Sequence, residues 1–209
     1  MPERRMLHLR DLIAVEGAHG TGKTSISKLL VRSLQSKGRR SLYTREPHVH
    51  SLTKVMTQLS TTGTRGPIAL ACLVAADRFL HLVQIRDSIS QGFTVVTDRY
   101  VTSSFVYQVI DGLPFGLIRQ INSFAPEPEL KIYLKAPYRV RVKRLKEKIN
   151  TRPHDFFLTD RALLREQRLY DTVINREAKS TRCLIIDATQ PVRECADQAV
   201  RFVIRSTEK

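Results

Sequence analysis

Leu12-Ile13-Ala14-Val15-Glu16-Gly17-Ala18-His19-Gly20-Thr21-Gly22-Lys23-Thr24-Ser25 is the stretch from which the rest of the chain can be read. Four apolar residues, rich in branched side chains, lead straight into Gly17-x-x-x-x-Gly22-Lys23-Thr24. That order predicts a strand, a phosphate-binding P-loop and a helix. Glycines at these places let the backbone curl so that successive amides point into one hollow, and the helix N-terminus adds its partial positive charge. Gly17, His19, Gly20, Thr21, Gly22, Lys23, Thr24 and Ser25 are the expected cradle for donor phosphates. Within it Lys23 reaches the β- and γ-phosphates, and the Thr24 hydroxyl is a ligand for Mg²⁺. Downstream, Ile26, Leu29, Leu30 and Leu34 recur at helical spacing, and Lys37-Gly38 closes that helix. The motif implies a bound nucleoside triphosphate.

Composition bounds the remainder. The 209 residues suit one α/β domain with a full core and are short for two. No apolar run approaches the ~20 residues that span a bilayer. The lead Met1-Pro2-Glu3-Arg4-Arg5-Met6 is not followed by an apolar stretch of signal-peptide length. No membrane partner is expected. Cys72, Cys183 and Cys195 are odd in number and fit no metal-ligand spacing, which reads as idle thiols in a reducing cytoplasm. The net charge is +15, and between Lys131 and Arg182 fifteen Lys/Arg face six Asp/Glu. A basic surface attracts polyanions. The aromatics there do not alternate with the charges as in a single-strand-binding platform, so a solvated basic face with a phosphate clamp is the reading, and nucleic acid is not the expected partner.

Taken in order, Ser41-Leu42-Tyr43-Thr44 reads as a second strand that ends at Arg45-Glu46-Pro47. A short helix over 52–59 and a Thr/Gly-rich turn precede a long helix from Pro67 to Ser90. Its apolar stripe is Ile68, Cys72, Ala76, Phe79 and Val83, with Asp77, Arg78 and His81 on the polar side. Phe93–Thr97 is a buried-type strand ending in Asp98-Arg99-Tyr100, and an acidic residue there is where a P-loop enzyme keeps its metal partner. Helices over 103–109 and 114–124, a break at Pro126-Glu127-Pro128 and a strand over 130–134 follow. A basic helix over 140–148, a polar loop over 150–159, a helix over 161–177, a strand over 183–187 and a helix over 192–204 complete the chain. Alternation of this kind predicts one α/β domain over residues 1–209: a P-loop kinase fold with a five-stranded, mainly parallel sheet and helices on both faces. The stretch 146–159 is the expected mobile lid.

With the P-loop, Thr44-Arg45-Glu46-Pro47, Ala76-Asp77-Arg78, Asp98-Arg99-Tyr100 and Ser103-Ser104 in hand, the chain resembles the thymidylate kinase family over roughly residues 12–190. The resemblance implies transfer of the γ-phosphate of ATP to dTMP with Mg²⁺, by a homodimer. It implies that Lys23 and Thr24 hold the donor phosphates and the metal, with Asp98 supporting that metal. Arg99 would grip the acceptor phosphate and Arg45 would be a second clamp. Arg78, with Ser104 nearby, would bond the base, and Tyr107 would pack on the sugar. Basic residues of the lid, Lys148 and Arg152 among the candidates, would cover the transferred phosphoryl group, and because the P-loop has no arginine the catalytic one should come from the lid, with Arg152 the candidate. Four positions depart from the family pattern: His19 replaces Asp, His48-Val49-His50 replaces a glycine-rich run, Val74 replaces a stacking aromatic, and Lys135 replaces Asp. Two other classes stay open: a deoxynucleoside or other nucleotide kinase, with Glu16 as a base for a hydroxyl acceptor, and a nucleotide-binding ATPase that acts on no small acceptor.

Overall fold

Five runs rich in Val, Ile and Leu become strands in the computed structural model, which describes residues 8–61, 66–149, 159–178 and 181–207. These are β1 (His8–Glu16), β2 (Ser41–Arg45), β3 (Thr94–Asp98), β4 (Glu127–Lys135) and β5 (Cys183–Asp187). They form one sheet in the order β2-β3-β1-β4-β5, and each neighbouring pair is parallel. Parallel neighbours require crossovers. These come from α1 (Lys23–Ser36), α2 (His50–Thr61), α3 (Pro67–Ser90), α4 (Val101–Ile110), α5 (Phe115–Ile121), α6 (Tyr138–Ile149), α7 (Asp160–Glu177) and α8 (Val192–Thr207).

The period-two alternation of β1 sorts its side chains between two layers. Ile13 and Val15, with Val96 of β3, pack against Ile26, Leu30 and Leu34 of α1 and Ala199 and Val203 of α8. Leu12 and Ala14, with Val95, face Leu82 and Ile85 of α3 and the ring of Tyr100. Helices therefore cover both faces. A third cluster joins Val106 of α4 to Tyr170, Val173 and Ile174 of α7, and this pair of helices walls the site described below.

Two expectations are corrected. The run Pro126-Glu127-Pro128 does not keep the chain out of the sheet: β4 begins at Glu127, and Pro128 lies opposite Leu9. A proline is tolerated where its missing N–H costs no ladder bond. The register then shifts between Leu9 and Ile13, around Asp11, whose φ is 63° and whose amide donates to Glu129 Oε2 at 2.8 Å.

The second correction concerns α3, whose apolar stripe points outward. Ile68, Phe79, Leu80 and Val83 are 56, 55, 48 and 58% exposed. The inward face carries Ala71, Ala75, Leu82 and Ile85 together with Asp77, Arg78 and His81. Periodicity finds a stripe but does not say which stripe meets the sheet. Here the polar side turns inward because every one of its charges finds a partner there, which removes most of the burial penalty. With 24 residues, of which an 18-residue window has a mean hydropathy of 1.7, α3 also has the length and composition of a membrane span. In this fold it lies on β1 and β3 instead.

Candidate active site

The C-terminal ends of β1 and β3 meet the N-terminus of α1, and the P-loop residues are assembled there. Two glycines are dictated by space. A Cβ on Gly17 would lie 2.5 Å from the carbonyl oxygen of Leu134, and one on Gly20 would lie 2.8 Å from that of Arg141. Both have positive φ, 145° and 80°. Lys23 is buried and donates from Nζ to the carbonyls of Gly17 at 2.7 Å and Ala18 at 3.0 Å. Burial and the nearby Arg99 push its pKa down to about 7, against the pull of Asp98, Glu166 and Glu16. Phosphate oxygens would take the place of those carbonyls as its acceptors.

Thr24 is exposed at the loop's end, and its hydroxyl donates to Asp98 Oδ2 at 2.5 Å. The other oxygen, Asp98 Oδ1, is buried with no hydrogen-bond partner. One hydroxyl and one orphaned carboxylate oxygen are the hard donors that suit Mg²⁺. Among the described residues no cluster of three His, Cys, Asp or Glu competes as a metal site.

Arg99, directly after β3, takes the left-handed conformation with φ 78°. Its amide donates to the Val15 carbonyl at 3.0 Å, and the Thr97 hydroxyl donates to its carbonyl at 2.8 Å. A non-glycine residue held in this region is strained and persists only when its surroundings dictate it. The turn aims the guanidinium at α4 and α7, where Nη1 donates to Ser103 Oγ, Tyr107 Oη and Tyr170 Oη at 3.2, 2.9 and 3.1 Å.

A buried carboxylate on α7, Glu166, links the walls. It accepts from the His19 amide at 2.9 Å, from Tyr107 Oη at 2.6 Å and from Arg141 Nη2 at 2.6 Å. His19 Nδ1 lies 2.7 Å from the same carboxylate. Burial opposes its ionisation, but the hydrogen bonds from His19 and from the Tyr107 hydroxyl outweigh it and hold the pKa at about 2. Arg141 is fully buried and also donates to the His19 carbonyl at 2.7 Å. The basic helix α6 thus spends one of its charges inside, under the P-loop, where a solvated face was expected.

From this wall a cavity of about 280 Å³ runs along α4 to α3, lined by His19, Glu46, Pro47, Leu70, Val74, Asp77, Arg78, Arg99, Ser103, Ser104, Tyr107, Gln108 and Asp111. Of the expected acceptor residues it brings together Arg78, Arg99, Ser104 and Tyr107. Arg45 is exposed at the end of β2 and is not among the lining residues. Arg152 lies outside the described residues, as does most of the expected lid. Arg78 is 1% exposed. It pairs with Glu46 (Nη2 to Oε2 at 2.6 Å, Nε to both oxygens at 3.0–3.1 Å), and also with Asn122 Oδ1 and the Tyr100 carbonyl. A guanidinium has five N–H groups. These contacts engage four and leave one on Nη1. Despite burial, Arg78 and His81 keep Glu46 below the usual carboxylate range. Asp77 accepts from the amides of His48 and Val49 at 2.8 and 2.6 Å, which ties the His48-Val49-His50 segment to α3.

Sequence reasoning missed Gln108. Both atoms of its amide, and the Ser104 hydroxyl, are buried on the cavity wall without a hydrogen-bond partner. The signal was present: Ser104 and Gln108 stand four apart, on one face of α4, as do Ser103 and Tyr107. Nothing in the sequence singled out Glu166, Arg141 or Tyr170, which lie more than a hundred residues from the P-loop. Glu16, weighed as a base for a hydroxyl acceptor, does not line the cavity. It accepts from the Tyr100 amide at 2.7 Å and the Ser103 hydroxyl at 2.7 Å, fully enclosed. A second cavity of about 410 Å³, lined by Leu59, Gly66, Pro67, Leu70, Ile110, Asp111 and Arg165, lies beyond Leu70 and is lined by neither the P-loop nor Arg99.

A parallel sheet with a P-loop after β1, an aspartate and a strained arginine after β3, and a cavity lined by His19 of that loop and by Arg99 defines a P-loop phosphotransferase with a small acceptor. A family model for thymidylate kinase matches residues 15–199, and the chain belongs to that family. Probable thymidylate kinase 1 of Saccharolobus solfataricus is 32% identical over 197 residues, covering 93% of this chain and 97% of the relative. The probable thymidylate kinase of Pyrobaculum calidifontis is 33% identical over 196 residues, covering 93% and 96%. A bacterial thymidylate kinase, from Xylella fastidiosa, is 29% identical over 194 residues, covering 92% and 90%.

Proposed function

We propose that the chain transfers the γ-phosphoryl group of ATP to the phosphate of dTMP, giving dTDP. The observation that carries this reading is the polarity of the cavity. One end has Arg99 close to Lys23, and the other has the unpartnered amide of Gln108 beside Ser104 and the remaining N–H of Arg78. An anion fits the first end. A base edge fits the second, since a carboxamide offers donor and acceptor side by side and matches the N3–H and adjoining carbonyl of thymine. Arg78 is a donor only, so it favours a base carbonyl over the amino group of cytosine.

Phosphoryl transfer asks the protein for alignment and for neutralisation of charge on the equatorial oxygens. Lys23 and the P-loop amides hold the donor phosphates. Arg99, anchored by three hydroxyls, presents the acceptor phosphate in line with the γ-phosphorus. Tyr107 stands at the sugar, fixed by Glu166. Thr24 and Asp98 would hold Mg²⁺, which when bound screens the β- and γ-oxygens. Arg45 at the rim is the second phosphate clamp. Arg152 is the catalytic arginine, on the sequence argument that the P-loop has none.

The four large apolar residues Ile68, Phe79, Leu80 and Val83 stand exposed on α3, and they support a homodimer formed through this helix. The free thiols of Cys72, Cys183 and Cys195 support a cytoplasmic setting. A screen of ATP against the nucleoside monophosphates and nucleosides tests the assignment. dTMP should give the highest kcat/KM among the monophosphates, and no transfer to dTMP would refute it.

A further inference from the structure

His19 stands between the two halves of the site. It belongs to the P-loop, lines the acceptor cavity, and lies near enough to Lys23 and Arg99 to be affected by both charges. Its Nδ1 is 2.7 Å from Glu166 Oε1 and 3.1 Å from Tyr107 Oη. Glu166 is ionised and can only accept, so Nδ1 carries the proton. That tautomer leaves Nε2 with its lone pair. No hydrogen bond to Nε2 occurs among the described residues, and the side chain is 31% exposed. Burial, opposed by Glu166 and aided by Arg99 and Lys23, lowers the imidazole pKa, so the ring is neutral at neutral pH.

A carboxylate, a tautomer-fixed imidazole and an Nε2 left without a partner, on a residue that lines the cavity, are the parts of a general base. Transfer to a monophosphate has no use for one, because the attacking oxygen is already anionic. A hydroxyl acceptor does need one. The other proton acceptors on the cavity wall are committed or distant. Glu46 is clamped by Arg78, Asp77 holds two amides, and Asp111 sits at the far end beside the second cavity.

We propose that His19, held by Glu166, is a base that lets this chain also phosphorylate the 5′-hydroxyl of a deoxynucleoside, a second acceptor class for the same cavity. The inference rests on the acceptor cavity described above but not on which base it takes. The hydroxyl oxygen forms a bond to the γ-phosphorus of ATP, and the bond from that phosphorus to the β–γ bridging oxygen breaks, releasing ADP. The hydroxyl proton passes to Nε2. Glu166 stabilises the imidazolium, which returns its proton to solvent after product leaves. The charged and titratable groups around the ring are Glu166 from α7, backed by Arg141 from α6, Tyr107 from α4, Arg99 after β3, and Lys23 from α1.

The test compares thymidine with dTMP as acceptors, using the full-length protein, ATP and Mg²⁺, with products separated by chromatography. Both should be phosphorylated. In His19→Asn the side-chain amide replaces the Nδ1–H donor to Glu166 and nothing replaces Nε2. The ratio of thymidine turnover to dTMP turnover should then fall by about 10²-fold or more, the usual contribution of a positioned base. If His19→Asn does not fold, His19→Gln, which likewise carries no imidazole, makes the same comparison. Phosphorylation of dTMP without thymidine overturns this proposal and leaves the thymidylate kinase reading standing. No transfer to either overturns both. Thymidine transfer with an unchanged ratio in whichever His19 variant folds removes His19 as the base.

Discussion

Replacing Gln108 by leucine should stabilise the empty protein and weaken it as an enzyme, and the opposed signs make the test sharp. Gln108 is 4% exposed, and neither amide atom has a partner. A buried polar group left unsatisfied costs about 1–3 kcal/mol, and an apolar side chain of similar shape avoids that cost. Leucine should therefore add about 1–2 kcal/mol of stability, which for a chain of this size raises Tm by roughly 2–8 °C. The same change removes the donor–acceptor pair that faces the base. Loss of one or two hydrogen bonds at about 1–3 kcal/mol in total raises the Kd and KM for dTMP by roughly 5–150-fold. KM for ATP should move much less than that for dTMP, since Gln108 lies on α4 and is no part of the P-loop. The assays are thermal unfolding with and without dTMP, and steady-state kinetics varying each substrate. Addition of dTMP should shift Tm less in Gln108→Leu than in the wild type. A variant with lower Tm and unaltered KM for dTMP would mean that Gln108 bonds within the protein and does not read the base.

Lys23→Ala should reduce turnover by about 10²-fold or more at saturating ATP and Mg²⁺ while the circular dichroism spectrum is kept, because Lys23 faces charge that develops on the transferred group; unchanged turnover would discard the donor site. Phe79→Glu with Val83→Glu places two charges on the outward face of α3, and gel filtration should convert a dimer of 23.9 kDa chains into a monomer. A wild-type protein that elutes as a monomer at micromolar concentration sinks that idea. Glu16 gives a pH prediction: burial outweighs Ser103, Arg99 and the Tyr100 amide and raises its pKa from 4.5 to about 7. The folded state then holds a proton that the unfolded chain has lost, so this contribution is complete below pH 4.5 and vanishes as the pH rises through 7. Wild-type stability should fall by about 3 kcal/mol relative to Glu16→Gln between pH 4.5 and 9, at about 1.4 kcal/mol per tenfold change. Parallel stability curves for the two proteins would refute the buried, protonated Glu16.

What could be read in advance had a local cause. The P-loop is a contiguous string whose spacing is set by the phosphate it wraps, so Gly17 to Ser25 announced strand, loop and helix together. The bounds of α3 and β5 were also legible, one from Pro67 and the Gly92 that follows, the other from a short apolar run. Asp98 and Arg99 were visible because they end a strand at the edge where α/β sheets bind ligands. Register irregularity in β4 was not visible. It depends on Asp11 adopting a left-handed turn and bonding Glu129, 118 positions away.

By itself, then, the sequence determined the alternating α/β order and the kinase class, since each follows from short-range period, spacing and residue type. Tertiary structure alone decided the inside and outside of α3. A helix carrying both an apolar stripe and a charged one is settled only by which stripe finds partners, and Glu46 and Asn122 met Arg78 on the inner side. It also decided the role of Glu166, an unmarked glutamate in α7 until folding brought His19, Tyr107 and Arg141 to its two oxygens. A carboxylate's protonation and use depend on neighbours within a few ångströms, and chain order does not encode those neighbours.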